Sequence, residues 1–261
     1  NIMMNRLAKF SYLTVIYCFF YFPIILLVVY SFNNSTYSLL WHGFTLDWYK
    51  QLGDDTDLAV VALHSLEVGV LAASLATFIG TIAATCLYRY RFFGKNLLHG
   101  LLFVLIVSPD IVMGISLLIL FFLLKMRLGF WSLLLSHITF CIPFVAVTVY
   151  SRLSGLDKNV FEAARDLGAN DFMSFRRIII PMLWPAILAG WLLSFTLSLD
   201  DVIISFFVTG PDFQILPLYI YSLVRIGLKP ELNALCSVMF AITLFIVVLF
   251  QLILPTKKVS H

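Results

Sequence analysis

Three carboxylates are the side chains of this sequence with the clearest capacity for chemistry, because each lies within a long apolar run. Asp110 follows Ser108 and Pro109 in the interior of one run, and Asp200 and Asp201 lie toward the end of another. An ionised side chain in hydrocarbon costs about 2.5–3.5 kcal/mol even on the most permissive insertion scale, so these acids are expected to face protein or water. They are predicted to line a path through a membrane, with Asp110 near its midplane and the pair toward the outer surface.

The surroundings of the three acids favour an organic cation as the ligand. No lysine or arginine lies in the interior of an apolar run, Ser198 is close to the acid pair, and aromatic residues make up 16% of the chain. Carboxylates and aromatic faces together suit an ammonium group. Two alternatives stay open, an ion pair with Lys125 or Arg127 and acids kept protonated by burial. One acid of the pair could also merely pack, because adjacent helical residues point about 100° apart.

Two further ring side chains have more than one interpretation. Trp48 lies in the polar interval 33–61, where it belongs either to an aromatic belt at the membrane interface or to the ligand path. His137 lies inside the apolar run 131–150. It is either a functional proton or ligand group or a hydrogen-bonded packing histidine. Trp48 and Ser198 are included among the candidate path residues.

Composition places the chain among polytopic membrane proteins of the all-α class. Apolar residues make up 61% and charged residues 12%, against about 45–50% and about 25% in soluble domains. The four cysteines lack C-x-x-C spacing, which argues against a zinc site or a disulfide framework, and the net charge of +3 gives no indication of nucleic acid. One membrane domain over 1–261 is predicted, with helical spans at about 10–32, 62–87, 97–124, 131–150, 181–205 and 231–254.

Six spans place both termini on one side of the bilayer, and the basic residues decide which side. Twelve of the 17 lysines and arginines fall on the side of the termini and five fall on the other. Basic residues concentrate on the cytoplasmic side of membrane proteins. Both termini and the loop 152–180 are therefore predicted to be cytoplasmic.

No motif for catalysis or for nucleotide binding accompanies these spans. Gly94-Lys95 is followed by Asn96 and lacks the upstream glycine of a phosphate-binding loop, and neither H-E-x-x-H nor G-x-S-x-G occurs. The chain is predicted not to be an enzyme and to hold no metal or cofactor. The energy for transport must then come from elsewhere.

The loop 152–180 is predicted to contain a short amphipathic helix. Asn159, three residues ahead of Glu162, can cap the start of this helix, and Gly168 suits its end. Pro181 predicts a break at Ile180 in the segment that follows. The helix would be about 14 Å long at about 1.5 Å per residue, and its apolar face needs a partner.

A spaced motif lies in the same loop. Glu-Ala-Ala is followed by a glycine six residues after the glutamate, and three isoleucines then precede a proline. This arrangement resembles the cytoplasmic signature loop in the membrane subunits of bacterial ABC importers, where the loop helix docks on the ATP-binding subunit. An amphipathic helix lying on the bilayer is the alternative. The coupling residues that the resemblance implies are Glu162, Ala163, Ala164, Gly168 and Pro181.

The resemblance extends along the whole chain. The segments that carry it are YRYRF (88–92), SPDIVMGISLL (108–118), FWSLLLSHITFCIPFVAVTVYSRL (130–153), EAARDLGA (162–169) and SFTLSLDDVIISFFVTGP (194–211). They are similar to the membrane permease subunits of spermidine/putrescine ABC importers. This implies the six-helix core of type I ABC importers in a bacterial inner membrane. It further implies a homologous second permease subunit, an ATPase dimer that binds ATP and Mg, and a periplasmic polyamine-binding protein.

Other functions compete with a polyamine permease at this point. The chain could be an ABC permease for another small organic cation. An ion-coupled secondary carrier could use the same acids, but it would not need the signature loop. An intramembrane aspartyl protease would also need acids on two spans. The sequence, however, has Ser-Pro-Asp and Leu-Asp-Asp instead of the Gly-x-Gly-Asp motif that is typical of such enzymes.

Overall fold

The computed structural model describes residues 2–35, 40–156, 168, 170–226 and 230–253. In this part of the chain the regular secondary structure is helical apart from two isolated β-bridges. A π-helical turn, Phe175–Ile179, follows Ser174 and leads directly into the helix that begins at Ile180. The helices are α1 (Ile2–Tyr30), α2 (Asp47–Asp54), α3 (Thr56–Arg89), α4 (Lys95–Val107), α5 (Asp110–Leu123), α6 (Phe130–Ser154), α7 (Asp171–Ser174), α8 (Ile180–Asp200), α9 (Ile203–Val208), α10 (Leu216–Ile226) and α11 (Pro230–Ile253).

Long apolar helices supply the candidate membrane spans. Among the described residues, five are long and apolar enough to cross a bilayer, and a sixth is present if α4 and α5 together form one span. The five are Phe10–Tyr30, Thr56–Arg89, Phe130–Ser154, Phe175–Asp200 and Leu232–Leu249. The all-helical fold predicted from composition is confirmed.

The run predicted as a third span is two helices bent by 115° at Ser108 and Pro109. Ser108 and Pro109 are both extended, with ψ of 133° and 136°, so α4 ends at Val107, and the N–H of Ser108 donates its last helical hydrogen bond to the carbonyl of Val104. Pro109 has no N–H for a continuing helix, but it serves well in front of a new one, because the first N–H groups of a helix have no partner in any case. Asp110 therefore begins α5.

The fifth span differs from its prediction at both ends. The break predicted at Ile180 is absent, because the N–H of Ile180 bonds to the carbonyl of Phe175 and the wide π turn leads into α8 without interruption. Pro181 then lies in the first turn of α8, where its missing N–H costs little. At the other end the helix stops at Asp200 instead of reaching residue 205, since Asp201 is extended with φ −69° and ψ 120°.

The chain divides into two compact units. One comprises residues 1–59 and 220–261, and in it α11 packs against α1 and α2. Trp48 is buried in this unit, and its indole N–H donates to the carbonyl of Asn33 at 2.9 Å. The other unit comprises residues 60–219 and contains α6 at its centre, packed on α8.

Small residues let the helices of the second unit approach closely. A Cβ added at Gly80 of α3 would lie 2.8 Å from the Cβ of Val145 on α6. One added at Gly114 of α5 would lie 2.7 Å from the ring of Phe207 and 3.3 Å from the Cα of Ile204, both on α9. Such contacts are the usual means of tight helix packing in membranes. The contact at Gly114 holds α5 and α9 side by side.

Candidate functional site

Two interruptions of helical structure meet at the candidate site. The α4–α5 bend presents Asp110 as the first residue of α5, and the α8–α9 break presents Asp200 as the last residue of α8. A cavity of ≈ 430 Å³ lies between them and is lined by Asp110, Asp200 and Asp201. The structure therefore brings together the three acids that were selected from the sequence.

The rest of the cavity wall is mainly apolar. Phe140 and Phe144 line it from α6 and Met113 lines it from α5. Sequence reasoning did not select the two phenylalanines individually. Their spacing of four residues, which places them on one face of a helix, could have identified them, because His137 lies one turn earlier on α6. Carboxylates beside aromatic rings form a setting in which a cation with an alkyl chain can be held.

Asp110 and Asp200 have carboxylates that are open to the cavity. Both residues are exposed in the chain by itself. Within the ranges that the structure describes, neither forms an ion pair with Lys125, Arg127 or any other cationic side chain. The ion-pair alternative is therefore not the arrangement found. Two uncompensated acids remain available for a ligand.

Asp201 is different from its neighbour, because its side chain is only 8% exposed. One oxygen accepts the N–H of Ile204 at 3.2 Å. The other accepts the N–H of Ser205 at 2.8 Å and the hydroxyl of Ser205 at 2.7 Å. These bonds satisfy N–H groups at the start of α9 that have no helical partner. Of the adjacent pair, Asp200 faces the cavity freely and Asp201 is engaged with the backbone.

His137 is fully buried, and both of its ring nitrogens are hydrogen bonded. Nδ1 lies 2.6 Å from the hydroxyl of Ser198, and Nε2 lies 2.9 Å from the hydroxyl of Ser205. The structure thus shows the buried, hydrogen-bonded ring that the packing interpretation of His137 predicts. Ser198, predicted as a path residue, is itself buried and bonded to this ring.

The remaining predicted site residues belong to the other compact unit, lie outside the described residues, or lie in the loop before α7. Trp48 belongs to the unit formed by residues 1–59 and 220–261. Glu162, Ala163 and Ala164 lie outside the described residues. Gly168 has φ +81°, a left-handed conformation that suits a glycine at a helix end.

Comparison with known proteins places the chain among transport proteins. Residues 76–257 match the family described as "Binding-protein-dependent transport system inner membrane component". The chain is 54% identical over 255 residues to the spermidine/putrescine transport system permease protein PotC of Escherichia coli K12, covering 98% of this chain and 97% of that protein. It is 44% identical over 230 residues to the putrescine transport system permease protein PotI of the same strain, covering 85% and 81% respectively.

Solved structures agree on the fold. The crystal structure of a bacterial ABC transporter involved in the import of the acidic polysaccharide alginate matches with a TM-score of 0.72 at 14% identity, covering 99% of this chain and 97% of that one. Similarity at this identity bears on the fold alone, which is that of the type I ABC-importer permeases. From the matched region and the identity to whole-length relatives, the chain belongs to the family of multi-pass inner membrane components of binding-protein-dependent transport systems.

Proposed function

We propose that this chain is the permease subunit of an ATP-driven importer for spermidine and putrescine, and that Asp110 and Asp200 bind ammonium groups of the passing polyamine. The observation that carries the proposal is the pair of open carboxylates on one cavity without a cationic partner in the described ranges. A polyamine is an alkyl chain that carries several positive charges. Its ammonium groups fit the acids, and its methylene groups fit the walls formed by Phe140 and Phe144.

We infer the partners from the family match and from the resemblance of the signature loop to that of ABC-importer membrane subunits. A homologous second permease subunit completes the translocation path, a dimer of ATP-binding cassette subunits hydrolyses ATP, and a periplasmic polyamine-binding protein delivers the substrate. The distribution of basic residues supports termini and a loop 152–180 on the cytoplasmic side, where ATP is present. The ATPase docks on the segment with Glu162, Ala163, Ala164 and Gly168. Trp48 contributes an aromatic face to the path.

A continuous rod of chain connects the cytoplasmic loop to the acids. Helical structure runs from Asp171 through the π turn to Asp200, which corresponds to about 45 Å at about 1.5 Å per residue. When the ATPase dimer closes, a displacement near Gly168 is transmitted along this rod to Asp200. The two permease subunits then alternate between outward-open and inward-open states.

The test uses the complete importer reconstituted in vesicles with its binding protein. The double variant Asp110→Asn, Asp200→Asn is expected to lose most spermidine uptake while the subunits still assemble, because the amides keep the shape and remove the negative charge. Asp212→Asn is the matched control, since Asp212 is an exposed acid outside the cavity lining. Wild-type uptake by the double variant would rule out the proposed path. Uptake that needs no nucleotide would rule out the ATP-driven mechanism.

A further inference from the structure

A chain of buried hydrogen bonds joins three helices next to the cavity. It runs from the hydroxyl of Ser198 on α8 to His137 on α6, then to the hydroxyl of Ser205 on α9, and ends on the carboxylate of Asp201. The three contacts measure 2.6, 2.9 and 2.7 Å. His137 and Ser205 are both 0% exposed. These two central members therefore must find their hydrogen-bond partners inside the protein.

Counting donors and acceptors gives the chain a direction. The carboxylate of Asp201 receives two backbone N–H groups and the hydroxyl of Ser205, as an ionised acceptor does. The single proton of that hydroxyl is then used, so Ser205 Oγ accepts from His137 Nε2–H. Full burial disfavours the charged imidazolium, and the neutral imidazole has only one N–H, so Nδ1 accepts from the hydroxyl of Ser198. The ring is therefore assigned as the neutral Nε2–H tautomer.

The link between His137 and Asp201 depends on Ser205. Nε2 lies 3.6 Å from Asp201 Oδ2, which is beyond hydrogen-bonding distance. The serine hydroxyl bridges the gap by accepting from the ring and donating to the acid. Without it, the carboxylate keeps only its bonds to the start of α9 and can rotate toward the cavity, whose wall it already forms in part.

We propose that His137 is a positioning residue for the substrate path: through Ser205 it holds Asp201 against the start of α9, so that Asp200 alone of the pair presents a free carboxylate to the cavity with Asp110. The inference rests on the proposed function. The basis of the inference is geometric. Without the bonds of Asp201 to the start of α9, the first N–H groups of α9 would have no partner and the two acids at the α8–α9 break would have no fixed arrangement. Ser198 acts in the same network by orienting the ring.

The first experiment compares His137→Gln with His137→Met in the complete importer reconstituted in vesicles. The two replacements have nearly the same shape, but only glutamine can donate a hydrogen bond at the position of Nε2. We expect His137→Gln to retain most spermidine uptake and His137→Met to lose about tenfold, which corresponds to one hydrogen bond in a charged network. Equal uptake by the two variants, normalised to assembled complex, would overturn the proposal.

A second pair of variants does not depend on replacing the ring. Ser205→Ala is expected to lower uptake about tenfold, whereas Ser136→Ala is expected to leave it unchanged. Ser136 is also fully buried, lies on the same helix as His137, and its hydroxyl has no hydrogen-bond partner among the described residues. Similar uptake by both alanine variants would contradict the proposed bridge.

Non-additivity separates positioning from a general loss of stability. If Ser205 acts only through Asp201, the double variant Ser205→Ala, Asp201→Asn takes up spermidine no more slowly than Asp201→Asn alone. If the losses multiply, the two residues act independently and the proposal is wrong. A failure of the proposed path would be recognised separately. In that case the double variant Asp110→Asn, Asp200→Asn would take up spermidine at the wild-type rate.

Discussion

Replacement of Gly114 by alanine tests whether the close approach of α5 and α9 sets the geometry of the acids. The new Cβ would lie 2.7 Å from a ring carbon of Phe207 and 3.3 Å from the Cα of Ile204, whereas carbon atoms normally approach to about 3.5–4.0 Å. Ring rotation could relieve the first contact. The contact to Ile204 involves the backbone and can be relieved only if α5 and α9 move apart. That movement would increase the distance between Asp110, at the start of α5, and α9.

The expected magnitude follows from the cost of overpacking. Extra methyl groups in a packed core cost about 1–3 kcal/mol, and this range corresponds to roughly 5–150-fold in a conformational equilibrium. Gly114→Ala is therefore expected to lower spermidine uptake per assembled complex by a factor within that range. The assay is uptake of labelled spermidine into vesicles that contain the complete importer and internal ATP, with assembly measured by size-exclusion chromatography.

Gly100→Ala provides the matched control for this prediction. Gly100 is an exposed glycine of α4 with nothing within 4 Å of its added Cβ, so alanine there should improve helix propensity by about 1 kcal/mol and leave uptake unchanged. Adding Phe207→Leu to Gly114→Ala should restore part of the activity, because the ring contact disappears while the contact to the Ile204 backbone remains. If Gly114→Ala and Gly100→Ala are equally active, the packing of α5 on α9 does not control the site.

Two further predictions concern the coupling loop and the other unit. Gly168→Ala places a Cβ at φ +81°, which costs about 1–2 kcal/mol, and it is expected to reduce stimulation of the ATPase by loaded binding protein. Gly94→Ala, at φ +89°, carries similar strain outside the coupling loop and should leave that stimulation intact; equal effects would argue against docking at Gly168. Trp48→Phe removes the 2.9 Å hydrogen bond to Asn33 but keeps an aromatic face. The free energy of unfolding should therefore fall by about 0.5–1.5 kcal/mol, while spermidine uptake persists. Trp48→Leu should lose uptake as well, and unchanged uptake in that variant would exclude contact between Trp48 and the polyamine.

The sequence was sufficient to select the acids but not to assign their separate roles. Burial cost alone predicts that Asp110, Asp200 and Asp201 avoid lipid, and they do share one cavity. A helical angle of about 100° between neighbours could not separate Asp200 from Asp201, because Asp201 is not helical. Its role depends on N–H groups three and four residues later, and on a histidine 64 residues earlier in the chain. Pairings over such separations have no signature in local periodicity.

The helix interruptions were predictable to different degrees. Ser108-Pro109 marked the α4–α5 bend because proline cannot supply the helical N–H, although its angle of 115° depends on packing. Pro181 produced the opposite outcome, since a π turn accommodated it and the helix continued. No proline or glycine in the sequence next to Asp200 marks the end of α8. There the carboxylate of Asp201 competes with helical bonding for the N–H groups of α9, as short acidic side chains commonly do.

The arrangement of the breaks gives the proposed mechanism a physical means of changing affinity. Asp200 ends the rod that begins at Asp171, whereas Asp201 is bonded to α9, and α9 packs closely on the helix that carries Asp110. A tilt of the rod therefore moves Asp200 relative to Asp110, with the non-helical residues Asp201 and Val202 absorbing the change. A substrate with two or more ammonium groups is held best when both carboxylates are at matching separation. Because a ligand favours a conformation only through its differential affinity, a shift of Asp200 that spoils this match would release the polyamine in one state after capturing it in the other.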